Sequence, residues 1–148
     1  MALARGDLLL LVTVLAAVGT ADAAYLTYEW YAAAGASWCD VSEYFSCTKV
    51  RESPWSAVGG IPTATVGLVG FLVLLGLTVL ALRGVDSVWR WSTDRWILMF
   101  AATGALIGLG LTLIEVLVIH AVCILCAFGF ALDLGILALA VLLLRRVE

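Results

Sequence analysis

The sequence predicts an all-α integral membrane protein, a four-transmembrane-helix bundle with an extracytoplasmic loop between helices 1 and 2. Composition is the first observation: the chain is 64% hydrophobic and 13% charged over 148 residues, a balance outside that of an ordinary soluble domain. The second is four apolar stretches, residues 8–31, 61–82, 96–119 and 121–144. Each holds roughly 20 residues or more, enough at about 1.5 Å per residue to cross a hydrocarbon core of about 30 Å. They lack the alternation of barrel strands, so they are expected as helices, which satisfy their own backbone hydrogen bonds in lipid.

The first stretch carries Asp22 and Glu29 towards its outer end, costs that a span tolerates there. A cleaved signal peptide is the competing reading, with Leu8 to Val18 as its apolar region and Ala21-Asp22-Ala23 as its cleavage site. The apolar character continues through Ala24, Tyr25, Leu26 and Trp30, which favours a span. Residues 32–60 form the outer loop, and residues 83–95 a cytoplasmic loop. Gly67 and Gly70 thin the second span, and Gly104 and Gly108 give the third a small-xxx-small pair suited to close helix packing. The whole chain, 1–148, is expected to be one membrane domain.

Orientation follows from the basic residues. Arg5, Arg83, Arg90, Arg95, Arg145 and Arg146 fall on one side of such a bundle, against Lys49 and Arg51 on the other. Both termini are therefore expected in the cytoplasm, as in a multi-pass protein of the cell inner membrane. A net charge of −3 gives no reason to expect a nucleic-acid partner.

All four cysteines then lie on the outer, disulfide-permissive side: Cys39 and Cys47 in the loop, Cys123 and Cys126 at the start of the last span. On a helix Cys123 and Cys126 are i, i+3 neighbours, which modest distortion brings to disulfide geometry. The start of a helix also offers partial positive charge and free N–H groups to a thiolate, while apolar surroundings oppose the charged form. Cys126, nearer the helix interior, is best placed to meet a lipid-soluble oxidant.

Rival readings are weaker on the residues. Haem attachment needs a His where Ala127 stands, and a thioredoxin-like domain needs βαβ elements around its pair. A structural zinc site fits the irregular Cys39–Cys47 spacing poorly. A purely structural staple suits Cys39 and Cys47, but a cross-link within one helix closes almost no loop and gains little. Redox exchange leads, and a small structural membrane protein with static disulfides or zinc is the alternative.

The stretches CDVSEYFSCTKVRESPW from residue 39, GGIPTATVGLVGF from 59, IEVLVIHAVCILC from 114 and AYLTYEWY from 24 resemble the vitamin K epoxide reductase family, especially its bacterial members. The resemblance implies a thiol oxidoreductase that takes two electrons from a thioredoxin-like partner outside the cytoplasm and gives them to a membrane quinone. That substrate would be menaquinone, ubiquinone or phylloquinone, and no metal is implied. Carried over to this chain, Cys39 and Cys47 would be the shuttle pair, with Cys39 open to the partner. Cys47 would exchange with Cys123, and Cys126 would face the quinone.

Ser53 matches the family's loop Ser or Thr, which would hold the loop or the quinone headgroup; an ordinary helix cap is the alternative. Glu115 matches an acidic position of the bacterial relatives and would assist quinone protonation, or else be a hydrogen-bonded acid near the interface. Phe130 and Thr63 stand where the animal enzymes have Tyr and Asn, so ordinary quinone reduction is expected rather than epoxide reduction. Trp38 and Trp55 are expected as interface anchors, Lys49 and Arg51 as loop or partner-facing charges. Asp133, seven residues after Cys126, is expected on nearly the same face, paired with Asp22 or protonated in the bundle. His120 is a boundary residue or proton relay.

Overall fold

A computed structural model describes residues 3–32 and 37–147; residues 33–36 of the expected outer loop lie outside the described residues. Four helices are long and apolar enough to cross a membrane: α1 (Arg5–Ala32), α3 (Thr63–Leu82), α4 (Thr93–Ile114, continued by a π turn over Glu115–Ile119) and α5 (Ile124–Val147). Between α1 and α3 lie the short helix α2 (Cys47–Glu52), a 3₁₀ turn (Pro54–Ser56) and the two-residue strands β1 (Ala57–Val58) and β2 (Ile61–Pro62). A second small hairpin, β3 (Ser87–Val88) with β4 (Trp91–Ser92), joins α3 to α4.

The helices form a ring in which α1 packs against α3 and α5, and α4 closes against α5 and α3. Their shared interior is built from Leu8, Leu9, Val12 and Ala16 of α1, with Phe71, Ile97 and Ile136 among the side chains that meet them. Gly19 lets the Phe71 ring lie directly against α1. The outward faces are apolar too: Val14, Val69, Leu106 and Leu117 are exposed. Helices apolar on every side suit a lipid environment, where burial is not the only way to remove an apolar group from water.

Several boundaries differ from the sequence expectation. α1 starts at Arg5 and runs unbroken through residues 21–23. Arg5 is the first residue of α1, and its guanidinium donates to both carboxylate oxygens of buried Asp94 at 3.0 and 3.1 Å. It also lies 3.4 Å from Asp86. α4 begins at Thr93, after Ser92 accepts the Arg95 N–H as a cap.

α3 ends where Gly84, at φ +88°, turns the chain so that Gly84 N donates to the Ala81 carbonyl and Val85 N to that of Leu80. This is the paired bonding of a glycine-terminated helix. Gly59 and Gly60, at φ +60° and +85°, make the two-residue turn between β1 and β2 that residues with a Cβ resist. α5 begins at Ile124 rather than at residue 121, because the π turn and the left-handed His120, at φ 56°, occupy the intervening chain.

Candidate active site

The loop reaches the head of α5 through backbone pairing. Val122 N donates to the Tyr44 carbonyl at 2.7 Å, and Phe45 forms a parallel bridge with Val122. This sets the start of α2 over the start of α5. Cys47 is the first residue of α2, behind a Ser46 cap whose hydroxyl accepts the Lys49 N–H. Cys39 and Cys47 are joined as a disulfide, and the thiol of Cys123 stands 3.1 Å from the Cys47 sulfur. All three cysteines are buried, Cys39 to 3% exposure, beneath a Trp38 that is 71% exposed.

One carboxylate organises this loop. Asp40 accepts the Thr48 hydroxyl, the Thr48 N–H, the Ser46 hydroxyl and the Ser37 N–H. These bonds, the Thr48 hydroxyl foremost, hold its carboxyl down to about 2. The loop is also tied to α1: Ser37 donates its hydroxyl to buried Glu29 at 2.7 Å, Tyr25 donates to the same carboxylate, and Trp38 donates to Tyr25. Ser37 Oγ lies 3.6 Å from the Cys39 sulfur. The sequence reading missed Asp40 and Ser37. The available signal was a cluster of short polar residues, 37, 40, 46 and 48, around the two loop cysteines, a pattern that favours side-chain to backbone bonding.

Cys123 is not inside the helix, as i, i+3 spacing alone suggests, but caps it. Its carbonyl accepts the Ala127 N–H at 2.9 Å, and its sulfur lies 3.3 Å from the Cys126 backbone nitrogen, in the place a capping oxygen would take. The N–H of Cys123 donates to Glu115 Oε2 at 3.2 Å. Glu115 is buried at the first position of the π turn, whose wider winding is a common device at functional sites.

A cavity of about 590 Å³ opens below these sulfurs, between the helices. Cys47, Cys123 and Cys126 line it, as do Ser53, Thr63, Glu115 and Phe130. Ser53 donates its hydroxyl to the Val50 carbonyl and so closes α2; Thr63 donates to the Ser56 carbonyl. The small residues of α4 admit side chains rather than a neighbouring helix backbone: the Phe130 ring lies over Gly108 and the Asp133 carboxylate over Gly104. Gly67 and Gly70 line the cavity with open space where a side chain would be. Asp22 and Asp133 line it as well, but no hydrogen bond joins them among the described residues. His120 is exposed, and Lys49 donates to the Glu43 carbonyl.

The arrangement suits thiol–disulfide exchange, in which a thiolate attacks one sulfur of a disulfide and expels the other. Attack by Cys123 on Cys47 would release Cys39, and the reverse path returns the bond. The sulfurs of Cys39, Cys47 and Cys123 also lie within 4.8 Å of one another, a spacing open to a thiophilic metal only when the disulfide is reduced. A sequence model described as the vitamin K epoxide reductase family matches residues 10–141. Four long apolar helices, four cysteines gathered at one end and that match over most of the chain lead to one conclusion: the protein belongs to the vitamin K epoxide reductase family, as a multi-pass membrane thiol oxidoreductase.

Proposed function

We propose that the protein oxidises a thioredoxin-like dithiol partner outside the cytoplasm and passes two electrons through its two cysteine pairs to a membrane quinone, supporting disulfide formation. The observation that carries this reading is the 3.1 Å approach of Cys123 to Cys47, which connects a loop disulfide to a thiol pair at the mouth of an apolar cavity. The cavity is of a size and lining that suit a small apolar ligand.

The steps balance in sulfurs and electrons. A partner thiolate attacks Cys39, a mixed disulfide forms and Cys47 leaves as thiolate; the partner's second thiolate then attacks the partner sulfur of that bond and expels Cys39, so the partner departs as a disulfide and Cys39 and Cys47 are left reduced. Cys47 next attacks Cys123 in a Cys123–Cys126 disulfide, and Cys39 resolves the mixed bond. The loop disulfide is thereby restored and the pair on α5 holds the two electrons. The combination of a Cys39–Cys47 disulfide with free Cys123 and Cys126 corresponds to this point of the cycle. When Cys39 resolves the mixed bond, Cys123 leaves as thiolate, and the Cys126 N–H is aimed at that sulfur. The quinone then takes both electrons and two protons, and the Cys123–Cys126 disulfide reforms.

Glu115 acts by positioning: its bond to the Cys123 N–H fixes the cap that presents the sulfur. Ser53 and Thr63 hold the loop exit, and Phe130 forms part of the apolar wall. Ordinary quinones are the substrate class, because Phe130 and Thr63 lack the phenol and amide donors that the animal enzymes place at these positions. The protein sits in the cell inner membrane with the cysteines outside and both termini in the cytoplasm, following its basic residues.

The test is a thiol count by mass-tagging alkylation on protein reduced, desalted and held in lipid without oxygen, before and after menaquinone or ubiquinone. Thiols should be consumed in the parent and retained in Cys126→Ala. An unchanged count with either quinone in the parent overturns the proposal and returns the reading to static disulfides or zinc.

A further inference from the structure

Quinone reduction consumes two protons along with two electrons, and the four cysteines account for the path of the electrons alone. Below Cys126 the cavity wall holds two carboxylates, each seated in a glycine notch. Asp22 of α1 meets α5 at Gly129, where an added Cβ would stand 2.9 Å from Asp22 Oδ2. Gly129 is three residues past Cys126, about one helical turn deeper. Asp133, a further turn down α5, lies against Gly104 of α4, where an added Cβ would stand 2.8 Å from Asp133 Oδ2.

Asp133 is 6% exposed, and its Oδ2 has no hydrogen-bond partner among the described residues. Asp22 takes no hydrogen bond from a described residue either, and both side chains line the cavity that Cys47, Cys123 and Cys126 share. An unpaired acid in an apolar interior is costly. Two of them lining one cavity, Asp22 from α1 and Asp133 from α5, with space cut for each, are accounted for by a ligand that needs two protons at two separated oxygens.

We propose that Asp22 and Asp133 are the proton donors of the quinone, Asp22 serving the ring oxygen nearer Cys126 and Asp133 the far one. The assignment rests on the quinone reading given above and extends it to this chain's own acids. The ring stands along α5 with its two oxygens facing the two notches, which selects a para-quinone. The Cys126 sulfur adds to the ring and the Cys123 sulfur displaces it; the S–S bond forms as the C–S bond breaks, and the electron pair stays on the ring. Each ring oxygen takes one proton from a carboxyl group. The two protons given up by the thiols restore the carboxyl groups, so quinone and dithiol become quinol and disulfide with nothing left over.

The experiment is anaerobic stopped-flow on the full chain in lipid, fully reduced, mixed with menaquinone or ubiquinone and, in parallel, with diamide, which oxidises thiols without using this cavity's proton donors. Asp22→Asn and Asp133→Asn keep the side-chain shape. Each should slow quinol formation by about 100-fold, the scale of a lost general acid, while diamide oxidation proceeds at the parent rate. Gly129→Ala, which displaces the Asp22 carboxylate, should slow the quinone step in the same way. If the parent reduces quinone and both Asn variants match it, the assignment is overturned and the function stands. If the variants lose the diamide reaction equally, the acids hold the shape of the site and the assignment is again overturned. A parent that reduces no quinone overturns the function and this assignment with it.

Discussion

The two cysteine pairs are held in opposite ways. Cys39 and Cys47 sit in a loop whose shape depends on side-chain hydrogen bonds to one carboxylate, Asp40, and on the tie of Ser37 to Glu29. Cys123 and Cys126 sit at the head of a long helix and are held by backbone: a helix cap, a π turn and the Glu115 bond to the Cys123 N–H. Side-chain ties at a surface open and close locally at small cost, while a helix head anchored in a bundle does not. The difference teaches which pair can travel. Under the proposed function, the loop pair has to leave its place to meet a partner, since Cys39 is buried here, whereas the helix pair has to stay in register with the cavity.

The comparison breaks most completely at Cys126. Cys126→Ala should abolish quinone-linked thiol loss while leaving the Cys39–Cys47 disulfide able to exchange with small thiols, as checked by alkylation and mass. Next in size is the fixed station's support. Glu115→Ala removes a hydrogen bond to a buried carboxylate, worth about 1.5–3 kcal/mol, and should slow transfer between Cys47 and Cys123 by about 10- to 100-fold in single-turnover mixing. Glu115→Gln, which keeps an acceptor, should recover most of that rate.

The carrier is sharpened from the other direction. Asp40→Ala should make Cys39 about 10-fold more reactive towards an external thiol, on the scale of one hydrogen bond's worth of latch, and at the same time slow internal transfer. Acid should imitate this variant. The Asp40 carboxyl is held at about 2 in the folded loop, against roughly 3.9 in an open chain. The latch's contribution is therefore complete above about pH 4 and is lost as the pH falls through about 2; Trp38 fluorescence in lipid should report the opening. The smallest effect belongs at the far end of the bundle. Arg5→Ala leaves the buried Asp94 carboxylate without its two guanidinium hydrogen bonds and should cost about 2 kcal/mol of stability with the rate of quinone reduction unchanged.

Much of the architecture was legible because the bilayer leaves few choices. Stretches of this length and apolarity become helices, and Gly84 and the Gly59-Gly60 pair mark turns that only such residues take easily. The cysteines were legible as a group for the same reason, since helix ends order them along the membrane normal. Less legible were the residues that act through distant partners. Asp40 was not singled out, Glu115 was open between proton donor and interface acid, and Gly104 and Gly108 were read as helix-packing residues, although they admit the side chains of Asp133 and Phe130.

The sequence by itself determined four spans, the gathering of the cysteines at one end and the family, because these depend on hydrophobic length, order along the chain and local pattern. The family resemblance already implied exchange between Cys47 and Cys123; only the tertiary structure decided that Cys123 caps its helix, and that Glu115, Asp22 and Asp133 share one cavity with the sulfurs. Those facts depend on the rotation of each helix about its axis and on where a loop lands. Both are set by side-chain packing among all four helices, which no single stretch of sequence contains.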